Sequence, residues 1–202
     1  MKAGHPGPHP EPPDDLANRK LPIRRVNRVW FRVYDLDYHP IYFGRKHQNR
    51  FDAPAGEFGV LYMGVDEHCA FIETLGQNTG IRVVTSSALK RRGWAQIKLR
   101  RELALVDLVK SGGLARIGAD ARLFAGNHDV AQRWSKALWE HPLKPDGIYY
   151  PARHDPQRTA CALYDRCETL VSVKRDRSLF DLKHHRLLER TLNTYGFGVI
   201  DA

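Results

Sequence analysis

Arg32 lies in Val29-Trp30-Phe31-Arg32-Val33-Tyr34, a run that alternates as a strand does. Alternation puts Arg32 on the face of Trp30 and Tyr34, opposite Phe31 and Val33. A guanidinium between aromatic neighbours needs an anionic partner or an open, solvated face. Glu73 sits in Cys69-Ala70-Phe71-Ile72-Glu73-Thr74-Leu75, at the margin of a helical apolar stripe. A carboxylate there is half-buried. It either closes a boundary salt bridge or points into a cleft. Tyr62 belongs to Gly59-Val60-Leu61-Tyr62-Met63-Gly64, where it shares a face with Val60. It is a core tyrosine or a phenol lining the same cleft. A third locus is Arg153-His154-Asp155. His154 could act as a general base with Asp155. Adjacent residues of an extended strand face opposite ways, however, so a polar turn is the better reading.

These side chains need short elements to hold them. Residues 26–34 read as a first strand and 59–64 as a second. Asp66 can cap a helix that runs to about Leu75 and stops at Gly76. Residues 81–85 read as a strand, and 95–108 as one or two more. Residues 129–140 form a helix with Val130, Trp134, Ala137 and Leu138 on one face, ending before His141-Pro142. Late strands are expected at 147–150, 160–164 and 169–173, and a last helix at about 179–194. Helices and strands mix without regular β-α-β alternation. An α+β single domain follows, with mixed or antiparallel sheets and flanking helices. The sequence has no G-x-G-x-x-G and no G-x-x-x-x-G-K-[ST], which argues against a Rossmann fold and a P-loop.

Residues 1–18 carry Pro6, Pro8, Pro10, Pro12 and Pro13 and few apolar residues, so a disordered or extended arm is expected before a domain at 19–202. Its histidines, His5 and His9, are isolated. With 42% hydrophobic residues the chain can build an ordinary core. Cys69, Cys161 and Cys167 are too few and too irregular for a disulfide framework or a zinc site. No apolar run suits a signal or a membrane span, so a soluble, cytoplasmic protein is expected. The net charge of +9 invites an anionic partner. The basic residues are scattered (Arg24-Arg25, Lys90-Arg91-Arg92, Arg100-Arg101), and no RNA-stacking motif accompanies them.

Taken in order, several pieces resemble the RES-domain family, the toxin halves of bacterial toxin–antitoxin pairs. They are Trp30-Phe31-Arg32-Val33, Asn49-Arg50-Phe51, Gly59-Val60-Leu61-Tyr62-Met63-Gly64 and Cys69-Ala70-Phe71-Ile72-Glu73-Thr74. Leu105-Val106-Asp107-Leu108, Gln132-Arg133-Trp134 and Asp146-Gly147-Ile148-Tyr149-Tyr150 continue the match. The likeness spans about residues 22–175. The family is named for an arginine, a glutamate and a serine. The first two fall on Arg32 and Glu73. A family tyrosine falls on Tyr62 and a second arginine on Arg50. The serine position reads Ala152, in Tyr150-Pro151-Ala152-Arg153, and Ser86 and Ser87 lie elsewhere in the pattern.

The resemblance implies an ADP-ribosyltransferase-like fold and NAD as substrate, with no separate cofactor and no metal. Implied activities are cleavage of the nicotinamide–ribose bond by water or phosphate, or transfer of ADP-ribose to a protein. The implied catalytic residues are Arg32, Tyr62 and Glu73. Arg50 and position 152 join them in binding NAD. Arginines grip a diphosphate in a bidentate way. Tyrosine stacks on the cationic nicotinamide ring. A carboxylate stabilises the oxocarbenium-like ribose left behind. Alanine at 152 supplies no hydrogen bond, a loss of about 1–3 kcal/mol, which leaves a catalytically impaired binding protein as an alternative. Implied partners are a helix-turn-helix (Xre-like) antitoxin and a second copy in a homodimer. DNA is reached only through the antitoxin, and no membrane is involved.

Overall fold

The computed structural model describes residues 9–201, apart from the side chains of residues 175–177. Along the described chain run β1 (Ile23–Val26), β2 (Trp30–Asp35), β3 (Val60–Gly64), α1 (Glu67–Leu75), β4 (Val83–Thr85) and α2 (Ser86–Lys90). Then follow β5 (Arg92–Leu99), β6 (Leu103–Asp107), α3 (Gly113–Ile117), α4 (Arg122–Ala125) and α5 (His128–Glu140). The chain closes with β7 (Gly147–Pro151), β8 (Thr159–Tyr164), β9 (Val171–Ser178), α6 (His185–Tyr195) and β10 (Gly198–Ile200). Eight strands form one sheet in the order β1-β6-β7-β8-β3-β2-β5-β9. Its pairs are antiparallel except β6 with β7. A small parallel pair, β4 with β10, stands apart. The α+β expectation therefore holds, with a mixed sheet.

Helix α1 forms where its caps place it. The Asp66 carboxylate accepts the Cys69 N–H at 2.8 Å, and Gly76 closes the last turn on the Ile72 carbonyl. Cys69, Ala70, Phe71 and Ile72 are all buried, so the helix is wedged rather than laid on the surface. Gly64 makes this possible. A Cβ there would stand 2.7 Å from the Ala70 nitrogen, so only glycine lets the end of β3 approach α1. Helix α5 is capped by Asn127, whose side chain accepts from the Asp129 N–H. It buries Ala131, Trp134 and Leu138 against Phe51, Phe58, Ile148 and Tyr164 on one face of the sheet. A second cluster around Trp30, Leu61, Ile97 and Leu163 fills the other face. A third joins α1 and α6 through Phe71, Leu188 and Trp94.

Two expectations need correction, and a third is narrowed. The single strand at 26–34 is two, β1 and β2, because the chain crosses from one edge of the sheet to its interior. The last helix starts at His185, after a short 3-10 turn at Leu182–His184 capped by Asp181, not at 179. Of the arm expected at 1–18, residues 1–8, with His5, lie outside the described chain, and the rest is packed. Trp134 donates its indole N–H to the Pro10 carbonyl at 2.9 Å, Arg133 grips Glu11 through two bonds of 2.6 Å, and Leu16 is buried. A proline-rich segment has little conformational freedom to lose and offers unpaired carbonyls to such donors. No helix among the described residues is long and apolar enough to cross a membrane.

Candidate functional site

The site arises because the sheet splits. Strands β2 and β3 share one residue pair, Phe31 with Gly64. Beyond it β2 continues through six pairs with β5, while Val60 of β3 turns to Gly44 in the β2–β3 loop through two bonds of 3.0 Å. Between the diverging strands opens a cavity of about 630 Å³, lined by Arg32, Tyr62 and Glu73 together with Arg50, Tyr150, Arg153 and His154. That volume suits a small-molecule ligand. A shallower hollow of about 700 Å³ on the far side of α1 gathers Glu67, His68 and Arg190 and none of these residues.

Arg32 is the unusual charge. Burial alone pulls its guanidinium down to about 10. Its hydrogen bond runs 3.4 Å to the Tyr42 carbonyl, and no carboxylate pairs with it among the described residues. A half-buried cation without a counter-ion is held at a cost, which a bound anion would offset. Arg50, 8% exposed, donates to the Gly126 carbonyl at 2.7 Å. Burial and the neighbouring Arg153 charge lower it from the ordinary arginine value. Five cationic side chains (Arg32, Lys46, Arg50, Arg92, Arg153) and two carboxylates (Asp35, Glu73) line the cavity. Asp35 is already committed to Arg92 at 2.9 Å. The cavity is therefore electropositive around one available carboxylate.

That carboxylate is held by backbone. Glu73 accepts the His154 N–H at 3.0 Å. Burial lifts it above the usual glutamate range, against the N–H groups of His154 and Arg153 and the charges of Arg153 and Arg50. The turn at 153–155 thus serves Glu73 through its main chain. The His154–Asp155 dyad does not exist, because Asp155 accepts from Arg158 at 2.8 Å and from the Tyr195 hydroxyl at 2.9 Å. Tyr62 offers its ring to the cavity and spends its hydroxyl elsewhere. It donates to Asp52 at 2.9 Å and accepts the Phe51 N–H at 2.9 Å. Burial, then the Asp52 charge, raises it well above the ordinary phenol value, so it stays protonated and is no base.

Two positioning residues were given no role from the sequence: Asp52, and Gln132 of the matching Gln132-Arg133-Trp134 segment. Asp52, fully buried, also accepts the N–H groups of Gln48 and Asn49, at 3.1 and 2.9 Å. Gln132 on α5 donates to the His47 and Asn49 carbonyls at 3.1 and 3.0 Å. Together they fix the loop that carries Arg50. Asp52 follows Asn49 by three residues, but its burial, which sets it apart from other loop aspartates, is not written in that spacing. Ala152 is not among the residues that line the cavity. It is 1% exposed in the core cluster with Tyr150 and Ala160, and its N–H bonds to the Arg158 carbonyl at 2.9 Å. Alanine fits that packed position, next to Tyr150 and Ala160, which do line the cavity.

The family model for the RES domain matches residues 23–185, which enclose every cavity residue named above. The chain belongs to the RES domain family. This RES-domain chain is 38% identical over 90 residues to "Probable toxin y4kH" of Sinorhizobium fredii (strain NBRC 101917 / NGR234), a match that covers 44% of this chain and 69% of that protein. Its fold resembles a chain in the crystal structure of the M. tuberculosis MbcT–MbcA toxin–antitoxin complex, with a TM-score of 0.62 at 14% identity. That likeness covers 90% of this chain and 98% of the other.

In this RES domain Glu73 has a consequence for stability. Its folded state holds a proton more tightly than the unfolded chain does, so stability falls as pH rises from the ordinary glutamate value through the raised one. Glu73→Gln keeps an acceptor for the His154 N–H and removes the titration. The variant should melt above the wild type at pH 7, with the gap closing near pH 4. Equal melting curves at both pH values would contradict a strained carboxylate.

Proposed function

We infer that the chain is the toxin of a toxin–antitoxin pair and that its cavity binds NAD and breaks the bond between nicotinamide and ribose. The observation that carries this reading is Arg32, a half-buried cation with no counter-ion among the described residues, in the same cavity as a clamped glutamate. NAD presents a diphosphate for the first and a developing ribosyl cation for the second. Arg32 and Arg50 grip the diphosphate. The Tyr62 ring stacks on nicotinamide. Glu73, ionised, faces the anomeric carbon and stabilises the positive charge that forms as nicotinamide leaves. NAD is the substrate, and no metal or further cofactor takes part. The relatives' names support the toxin role and a partner antitoxin; that the antitoxin is of the helix-turn-helix (Xre-like) type and carries any contact with DNA is part of the proposal. A homodimer and a cytoplasmic location belong to the same proposal.

Incubation of the protein with NAD tests it, nicotinamide release being the readout. The co-product names the acceptor: ADP-ribose for water, its phosphate ester for phosphate, a labelled polypeptide for a protein target. Tyr62 adds a sharper check. Tyr62→Phe keeps the ring and should change KM and kcat for NAD by less than about threefold, while leaving Asp52 and the Phe51 N–H short of a partner, at about 1–2 kcal/mol of stability. Tyr62→Ala should lose both. A large kcat loss in Tyr62→Phe at unchanged stability would mean the hydroxyl does chemistry.

A further inference from the structure

The cavity lining falls into two groups of different character. One holds Glu73, Arg50 and Arg153. In the other, with Arg32, the loop after β2 presents Tyr38 and Tyr42, which are 69% and 50% exposed and line the same cavity. Their loop is not slack. The Tyr38 N–H bonds to the Asp35 carbonyl at 3.0 Å, the Asp37 N–H to the Asp35 carboxylate at 3.1 Å, and the Ile41 N–H to the His39 ring at 3.1 Å. Pro40 between them is buried. Neither tyrosine hydroxyl has a hydrogen-bond partner among the described residues, and neither ring packs on another aromatic there. Two large rings are thus held in water by an ordered loop at the mouth of a cavity.

Arg32 ties this loop to the anion site, since its guanidinium reaches the Tyr42 carbonyl. Arg32 and Tyr42 line the same cavity, so a phosphate on Arg32 shares that space with the Tyr42 side chain. In a nucleotide the base lies one sugar away from its phosphate. We propose that Tyr38 and Tyr42 form the stacking platform for the purine base of a nucleotide whose diphosphate Arg32 holds. This rests on the NAD reading and fixes the ligand's direction within it: adenine at the loop, nicotinamide at Glu73. Aromatic side chains stack on any base face, and removal of one such contact weakens binding about tenfold.

The test uses two probes, ADP and inorganic pyrophosphate, titrated calorimetrically into wild type and into the Tyr38→Ala/Tyr42→Ala double variant. Both substitutions are at exposed positions, and a melting curve confirms folding. Wild type should bind ADP at least about tenfold more tightly than pyrophosphate. The double variant should bind both alike, with pyrophosphate affinity unchanged. Equal affinities in wild type, absence of ADP binding, or a preference for ADP that survives the double variant would each overturn the platform. Nicotinamide release is read separately. If ADP binds as stated and NAD is not cleaved, the platform stands and the catalytic reading fails. If NAD is cleaved and ADP shows no preference, the reverse holds.

Discussion

Arg32→Met is expected to raise KM and Kd for NAD by roughly 30- to 100-fold, the loss of a bidentate, charge-assisted grip on phosphate. The same substitution should make the unliganded protein more stable. Arg32 is half-buried, has no carboxylate partner among the described residues, and is depressed by burial to about 10. An apolar side chain of similar length removes that desolvation cost and gives up one long hydrogen bond to Tyr42. A melting temperature higher by about 2–4 °C corresponds to 1 kcal/mol in a chain of this size. The pairing of opposite signs is the informative part. A structural arginine would lose stability when replaced, and a spectator would change neither quantity. Thermal melts without ligand and calorimetric titration with NAD read the two effects on one sample.

Glu73→Gln should lower kcat for nicotinamide release by about 10²–10³-fold while changing Kd for NAD only a fewfold. Glutamine keeps the oxygen that accepts the His154 N–H, so the geometry of the clamp survives. What it lacks is the negative charge opposite the ribosyl cation. The pH profile follows from the same residue. Glu73 is active when ionised, and burial raises its titration above the usual glutamate range. In wild type kcat should rise as pH increases through that raised value and then level. The residual activity of Glu73→Gln should lack this limb. A binding loss equal to the kcat loss would instead make Glu73 a ligand for the ribose hydroxyls.

Local chemistry made some of this site readable. Asp66 and Gly76 bracket α1, so the helix carrying Glu73 could be placed to within a residue of its observed start. Alternation gave β2 its two faces and marked Arg32 as out of place on a strand. The cavity itself was not readable. It depends on β2 and β3 parting after a single residue pair, and nothing in either strand alone records where its partner leaves. The same limit hid Asp52, which looks like an ordinary loop aspartate until Tyr62, Gln48 and Asn49 converge on it. Position 152 was legible through its place in the motif, but its packing beside Tyr150 and Ala160 and its bond to the Arg158 carbonyl were not. The proline-rich arm was judged by composition, and Trp134 and Arg133, more than 120 residues away in the chain, supply the contacts that pack it.

The most direct measurement is the time course of nicotinamide release from NAD by wild type, Arg32→Met and Glu73→Gln, each shown to be folded. Steady release by wild type, a high KM in Arg32→Met and a collapsed kcat in Glu73→Gln are the expected results. No release by folded wild-type protein in the presence or absence of phosphate and of cell extract, or full activity in Glu73→Gln, would contradict the assignment of this cavity to NAD cleavage.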